Sequence, residues 1–590
     1  MAATLIGASG ATILHCWSPP PSADVARGTE EAFATGLQRR ELPPREAPIR
    51  WTTDRVTFAF DNLPKGEGEL EVVLAGHRGP VVVAADGVIL GALPVGATNG
   101  RFPLPSTGRR LRMVQLEVPV FVAGDGRRLG ARLQRVSVRP RARGLPGPGL
   151  LALVAAPALL AALLGLWVGL PRSAALVFAA ALTAVHAGML WPSGLARSPY
   201  ATRLSLLIAL GLIAAGAFAW RVERRRAGAG RWALVAMTAA WIVQGLLATS
   251  PAMIVSDAVF HANTLARVAG GDLFPTSVTQ HATPFRFPYG VSFYAALVPF
   301  FRAGIDGVTL VRVGAAGAGV LASGALFLVA LGPYGAAAAG LAVLLLQTLP
   351  ATFDVAYSYG NLSNGFGQAT TTLFFAWWAG ARARRWPLGG LLLATAATAH
   401  FSSLIVVVAF AAALAIGRRR DLDRSRWLAL AAGTGLAAVY YAPHLPLIAA
   451  QLPRLLEGGG RSATDLGIAA SALRQLRAAT LAWGVAAIGL AWFGRPRPQR
   501  GDQDARALDR DLAAWWIACG ILAVPAILSP LEVRYLYALT PAVAAAAGRG
   551  AVMLHAGGGL RRAFAWALAA VQAATGAMNL AEAVFVRYRP

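Results

Sequence analysis

Charge is scarce in this chain and lysine is all but missing. Of its 590 residues only 14% are Asp, Glu, Lys or Arg, against about 25% in soluble domains. Lys65 is the sole lysine, so a phosphate-loop or Schiff-base lysine has no candidate beyond it, and no Gly-rich phosphate loop follows a strand. The two cysteines, Cys16 and Cys519, lie near the N-terminus and inside an apolar run, which excludes a disulfide framework. No His, Cys, Asp and Glu cluster shows metal-ligand spacing, and no Ser-His-Asp arrangement can be placed. The cofactor question stays open, a divalent metal included.

Apolar residues fill the space that charge leaves. They make up 56% of the chain and gather in repeated runs, each able to cross a bilayer core about 30 Å thick. Helices are the natural reading of such runs, because a helix satisfies its own backbone in lipid, whereas a barrel would show short alternating segments. The fold class expected is a multi-pass α-helical membrane protein with about 11–14 spans and an N-terminal all-β sandwich or jelly-roll domain. A net charge of +26 would suggest nucleic acid in a soluble protein. Here the arginines sit in short loops, Arg221–Arg226, Arg382–Arg385 and Arg418–Arg426. That is the positive-inside pattern of cytoplasmic loops, and it points away from nucleic acid.

Residues 1–17 form a short apolar anchor or signal-like segment. Residues 18–145 carry short alternating runs, Val56–Phe60, Leu70–Leu74, Pro80–Ala84, Leu111–Val118 and Leu133–Val138, with Asp86-Gly87 and Asn99-Gly100 as turn signals. Four spans follow within 146–249, near 148–170, 173–191, 203–220 and 231–249. The basic stretch Arg221–Arg231 places the β-domain, and the loop 250–290, outside the cytoplasm. Residues 291–590 form the remaining core, with outer loops near 352–364, 443–480 and 529–535. Between Ser250 and Asn361 three apolar segments appear, near 290–301, 308–331 and 335–349. Two outward-facing ends need an even number of crossings, so one of the three does not cross.

Chemistry concentrates in the outer loops. Asp257 follows a span directly, and His261 lies four residues on, on the same face of a helix. A carboxylate at an apolar rim acts as a general base towards a hydroxyl; the plainer reading is an interfacial acid that ends a helix. Asp272, in Gly271-Asp272-Leu273-Phe274-Pro275, reads as a second acid or as a helix stop. Asp354, Tyr357, Tyr359 and Asn361, with Asn364 and Gln368 beyond, mix amides, an acid and aromatic rings as sugar binding requires, or form an ordinary interfacial loop. His400 stands between two short apolar runs, an ionisable group at a membrane tip. Arg534 and Tyr535 lie at another tip beside Glu532, and Arg286 sits in Pro-Phe-Arg-Phe-Pro; either arginine suits a lipid-borne phosphate.

A span leading into an outer loop with an early Asp, then a short amphipathic helix ending Gly-Asp-Leu-Phe-Pro, resembles the C-type (GT-C) membrane glycosyltransferase superfamily. It is most similar to bacterial branches that take sugar from a polyprenyl-phosphate carrier. Phe33–Gly36 through Glu41 with Ile49–Thr52, and Arg128–Gly130 with Val136–Val138, resemble the opening and closing strands of a β-domain often attached to such enzymes. The resemblance implies transfer of a hexosyl or pentosyl group to an envelope lipid, glycan or protein on the outer face of a bacterial cytoplasmic membrane. Asp257 matches the superfamily's first-loop acid, taken to bind or deprotonate the acceptor. Many members carry a second adjacent acid, where this chain has Ser256 and Ala258. The rival expectation is a non-enzymatic lipid-linked glycan transporter or an inactive scaffold. A transporter calls for ionisable groups within spans, and the acids of this sequence read as loop residues.

Overall fold

The computed structural model describes residues 1–590 apart from 39–40, 42–47, 125, 142–144, 252, 254–256, 279–285, 354–356, 358–360, 381–384, 419–422, 451–466, 496–502, 522–536 and 587–590. The chain is a multi-pass helical membrane protein with an all-β domain, and divides into two compact units. One is built mainly from Met1–Leu234 and the other mainly from Ile254–Ala583.

In the first unit, helix α1 (Ala2–Trp17) leads into strand β1 (Ser22–Asp24) and a single helical turn, α2 (Glu30–Phe33). Ten strands follow: β2 (Ala34–Leu37), β3 (Arg50–Phe60), β4 (Gly66–Ala75), β5 (Val81–Ala85), β6 (Val88–Leu93), β7 (Asn99–Thr107), β8 (Arg112–Glu117), β9 (Phe121–Val122), β10 (Arg128–Leu129) and β11 (Arg132–Pro140). All five alternating runs named from the sequence are strands, because alternation buries one face. Val56, Phe58 and Phe60 of β3, Leu70, Val72 and Leu74 of β4 and Val81 and Val83 of β5 are fully buried. Leu133 and Val136 of β11 both point inward despite odd spacing, since a bulge lies between Leu133 and Arg135.

The main sheet runs β6-β5-β8-β3-β11-β4-β7, with β1 on β11 and β2 on β3. Strand β3 turns the corner: Arg50 and Trp51 pair with β11, while Arg55–Phe60 pair with β8. The end strands β6 and β7 touch, so the sheet nearly closes on itself. Asp86-Gly87 makes the expected hairpin turn, with φ of 52° and 85°. Asn99-Gly100 does not: both residues pair with Val73 and Val72 inside the sheet, and the turn falls earlier, where Ala97 N–H donates to the Pro94 carbonyl.

The four expected spans are α3 (Pro148–Trp167), α4 (Arg172–Leu190), α5 (Pro199–Arg225) and α6 (Gly230–Thr249). Helix α1 packs against α3 and α4. Gly7 lies against Ala155, and a Cβ on Gly10 would stand 2.5 Å from the Thr183 methyl, so small residues set the close approach. The anchor-like segment is thus a member of this helical bundle. The β-domain is seated on the same unit: Asp61 N–H donates to the Arg197 carbonyl at 2.9 Å, and the buried Arg197 guanidinium donates to the His15 carbonyl at 2.8 Å.

The second unit holds α7 (Ala258–Ala269), the strand pair β12 (Thr276–Val278) and β13 (Arg286–Pro288), α8 (Ser292–Arg302), α9 (Gly307–Thr348), the turn α10 (Pro350–Phe353), α11 (Leu362–Ala379), α12 (Trp386–Ala397), α13 (Phe401–Arg418) and α14 (Arg424–Tyr441). Helices Gly467–Trp483, Val485–Phe493, Gln503–Ile521, Thr540–Ala556 and Gly559–Ala581 complete it.

Helix α9 is two arms. Gly335 breaks it with φ 85° and ψ 169°, a backbone state open to glycine almost alone. The Gln347 amide donates to the Ser323 hydroxyl at 3.0 Å. These residues lie twelve positions either side of Gly335, and a straight helix would hold them about 36 Å apart. The arms therefore fold back antiparallel about Pro333-Tyr334-Gly335. This hairpin makes the apolar segments near 308–331 and 335–349 one antiparallel pair. The third apolar segment, α8, has eleven residues and extends about 16 Å, short of a bilayer core about 30 Å thick.

Among the described residues seven helices are long and apolar enough to span, or eight if the pair Leu476–Trp483 and Val485–Phe493, bent by 89°, makes one crossing. Three further apolar helices, Ala2–Trp17, Trp386–Ala397 and Ser403–Ala413, are shorter than a full span. Much of the gap from the expected 11–14 lies in these short elements.

The hairpin makes a topological prediction. In a background without Cys16 and Cys519, cysteines at Gly332 and Arg385 should react with a membrane-impermeant maleimide from the same side, and one at Ala303 from the other. Labelling of Gly332→Cys and Ala303→Cys from one side would refute the fold-back as a pair of crossings.

Candidate functional site

Asp257 occupies the N-cap position of α7, and its carbonyl accepts the His261 N–H at 2.9 Å. Its side chain does not cap the helix, and the residue is half-buried. His261 turns inward, 1% exposed, with Nδ1 2.7 Å from the Tyr294 hydroxyl and its ring stacked on Tyr294 at 6.0 Å. It pins α7 to α8 rather than lying on the open surface with Asp257.

The hub of this region is Tyr289, which the sequence reading did not single out. Its ring meets Phe260 at 5.2 Å and His261 at 6.2 Å, and the His400 ring stands perpendicular to it at 6.3 Å. Its hydroxyl is 3.2 Å from the Ser363 hydroxyl on α11, and its carbonyl accepts the Tyr440 hydroxyl of α14 at 2.7 Å. Gly290 makes the approach possible: its α-carbon faces the Ala399 carbonyl so closely that any Cβ would collide. Ser292 then donates to the Thr395 carbonyl at 2.7 Å. One Pro-Tyr-Gly segment thus gathers α7, α8, α11, α14 and the turn between α12 and α13. His400 sits at that turn, as the sequence suggested.

Asp272 is held by Arg267, whose Nη2 and Nε donate to one carboxylate oxygen at 2.5 and 3.0 Å. Its peptide N–H donates to the Arg267 carbonyl, so the Gly-Asp motif does end the helix. Phe274 beyond it is 47% exposed and stacks on Tyr440 at 5.8 Å, with the buried His444 edge-on at 5.7 Å. Burial holds the His444 imidazole below its ordinary pKa, and the Asp272 carboxylate pulls it back up. Tyr440 and His444 join the site from α14 and the short turn after it. Their cue in the sequence was the aromatic run Tyr440-Tyr441 beside a histidine.

The other expected residues lie elsewhere. Arg286 is exposed on β13, opposite Val278. Tyr357 is 1% exposed and donates to the Gln244 carbonyl oxygen at 3.1 Å, and Asn361 occupies the N-cap position of α11 without a side-chain capping bond. Asp354, Tyr359, Arg534 and Tyr535 lie outside the described residues. Among the described residues no group of three or more His, Cys, Asp or Glu side chains is placed to hold a metal ion.

One buried ionic cluster was not expected. Arg549, within an apolar helix long enough to span, donates to Asp509 at 2.6 Å with both side chains almost wholly buried. The Tyr334 hydroxyl donates to the same carboxylate oxygen, and the Arg549 guanidinium lies 4.7 Å over the Tyr334 ring. The expectation that acids keep to loops is therefore corrected: Asp509 and Asp511 are buried in a helix. Compared with known proteins, the chain matches no family model and no curated protein.

Removing one member of a buried ion pair strands the other. Arg549→Met should destabilise the protein by about 3–5 kcal/mol, read as a lower unfolding midpoint in detergent. Asp509→Leu combined with Arg549→Met and Tyr334→Phe should recover most of that loss. An unchanged midpoint in Arg549→Met would mean that the pair is not buried in the native protein.

Proposed function

We propose that this chain is a GT-C-type glycosyltransferase, moving a sugar from a polyprenyl-phosphate carrier to a hydroxyl of an envelope lipid, glycan or protein. The observation that carries the reading is the Tyr289 assembly. It fixes the helix headed by half-buried Asp257 against a rim of tyrosines, histidines and a serine drawn from five elements. Hydroxyls and imidazoles bond sugar hydroxyls, and rings stack on sugar faces, so the rim suits a glycan. The setting is the bacterial cytoplasmic membrane, with the β-domain and the Asp257 loop on its outer face.

Asp257 accepts the proton of the acceptor hydroxyl as its oxygen attacks the anomeric carbon. The bond from that carbon to the carrier phosphate breaks, and the phosphate leaves with the electron pair. A phosphate needs no proton to depart, so one carboxylate acting as base suffices. Arg286, exposed on β13, and Arg534 are the cations that balance the leaving charge. His261 and Tyr294 act indirectly, by holding α7 in place.

The second reading, a lipid-linked glycan transporter, draws on Arg549 and Asp509, ionisable groups buried in helices as carriers require. Reconstituted protein offered radiolabelled polyprenyl-phosphate sugars and envelope-lipid extract separates the two. Asp257→Asn should lower transfer about a hundredfold or more while carrier binding persists. Equal transfer by wild type and Asp257→Asn would remove the residue from the mechanism. Binding without transfer in both would favour the transporter.

A further inference from the structure

One end of the β-domain is turned towards the helices of its own unit. Strand β3 runs into Asp61, whose N–H meets the Arg197 carbonyl, and the Asn62 amide reaches the Ala196 carbonyl at 3.5 Å. Both carbonyls belong to the turn between α4 and α5. The Arg110 guanidinium donates to the Leu145 carbonyl at 3.3 and 3.4 Å, just before α3 begins. The Asp86-Gly87 hairpin falls at this end too, since Phe60 pairs with Arg112 and the Asp86 N–H donates to the Met113 carbonyl. So does Lys65, because its neighbour Gly66 pairs with Thr107. On the same side of the helices Trp17 ends α1 and Trp191 follows α4, both exposed, as aromatic residues at a membrane interface are.

Apolar exposure gathers at this end. Among the described residues from 18 to 145, seven large apolar side chains are exposed. Five lie here: Val88 and Ile89 beside the hairpin turn, Leu111 and Met113 around the start of β8, and Leu145 before α3. Only Val95 and Val122 stand elsewhere. Ile89 is 72% and Leu145 82% exposed. Strand β6 is the third strand along from β3, roughly 14 Å across the sheet, so the hairpin tip stands clear of the contact that β3 makes with the helices.

The charges at this end are sorted as well. Asp86 is taken up internally: buried Arg112 donates to one carboxylate oxygen at 2.5 Å and the Met113 N–H to the other at 2.8 Å. Glu67 is paired with Arg141 at 3.2 Å, and Asp61 accepts the Asn62 N–H at 2.6 Å. Lys65 and Arg109 are exposed, and Arg110 is half-buried beside them. Three cations thus rim the apolar residues. A patch of this kind marks a site of protein or membrane contact, and its continuity with the start of a spanning helix favours lipid.

We infer that this end of the β-domain sits in the phospholipid headgroup layer. Val88, Ile89, Leu111, Met113 and Leu145 reach the top of the acyl chains, and Lys65, Arg109 and Arg110 take anionic headgroups. The inference concerns the first unit alone and is separate from the glycosyl-transfer reading.

The full chain in phosphatidylcholine nanodiscs tests this, in the background without Cys16 and Cys519, with an NBD dye on Ile89→Cys. Lipid carrying a doxyl spin label high on its acyl chain should quench the dye, and the emission should be shifted to the blue. The same dye on Val95→Cys, at the far end, should keep its aqueous emission and escape quenching. Met113→Cys is a second reporter that serves if Ile89→Cys fails to fold. Doxyl-labelled phosphatidylglycerol should quench at about fivefold lower mole fraction than labelled phosphatidylcholine, the worth of one cation at an anionic surface. Lys65→Gln with Arg109→Gln should shrink that preference. Absence of quenching at both reporters, whether they face water or a protein partner, overturns the inference, and so does equal quenching at Val95. Equal quenching by the two lipids overturns the role of the cations.

Discussion

A polar group that enters a bilayer core must find its partner inside the protein, and this requirement organises the helical unit. The backbone meets it by being helical. Side chains meet it by converging: Gln244, Gln347 and Ser323 bond one another across α6 and both α9 arms, and Tyr357 adds its hydroxyl. Thr370, Thr371 and Thr372 instead return their hydroxyls to carbonyls one turn back in α11. The Arg549–Asp509–Tyr334 cluster is the same rule applied to charge, tying the hairpin tip to two later helices. Each such pairing fixes which helices are neighbours, because the alternative is an orphaned group in hydrocarbon.

Away from the spanning helices the rule relaxes, and polar chemistry becomes affordable. The Tyr289 assembly lies among the shorter elements, α7, α8, and the turn before α13. Short helices leave their end groups to be met by side chains and neighbouring carbonyls, and here those contacts create the site. Ser292 and Tyr440 bond carbonyls at Thr395 and Tyr289 that no helix ladder uses in the ordinary way. The short α8 is thus more than an apolar run. Its position beside α7 is what brings Tyr294 to His261.

Much of the fold was legible because burial leaves a period. Val56–Phe60 and Leu70–Leu74 alternate, and the runs at 148–170 and 231–249 are unbroken, so strands and spans could be read directly. Asn99-Gly100 misled because the same dipeptide fits a strand start when its partner strand supplies the pairing. The break at Pro333-Tyr334-Gly335 was legible, since one apolar segment ends near 331 and the next begins near 335; the fold-back was not, because it depends on Gln347 reaching Ser323. Of the site, Asp257 and His400 lie at the loop positions that charge and span boundaries indicate. His261 shares Asp257's helical face by spacing, yet its direction depends on Tyr294, thirty-three residues on. Tyr289 was illegible for a related reason: apart from Tyr294, the groups that give it importance, Phe260, His261, Ser363, His400 and Tyr440, lie far from it in sequence. Asp509 was hidden by its surroundings, since an Asp-rich stretch next to arginines reads as a solvated loop until Arg549 is folded onto it.

Helix α11 connects the two polar centres. Its first turn gives Ser363 to Tyr289, and its next turns give Gln368 and Thr372 to the small cavity beside Gln244 and Gln347. Gly367 lets the helix lie so close to Ser403 that a Cβ there would collide, which seats α11 against the start of α13 beside His400. A rigid helix shared by a rim and a buried amide cluster transmits position: a rotation that moved Ser363 out of reach of Tyr289 would also turn Gln368 within the cavity wall. The glycines at 290, 319 and 367 are the places where this geometry is set, since at each a single methyl would force apart the elements that meet there. The chemistry at Asp257 and the buried amide cluster are therefore built on one scaffold, although each draws its side chains from different neighbours.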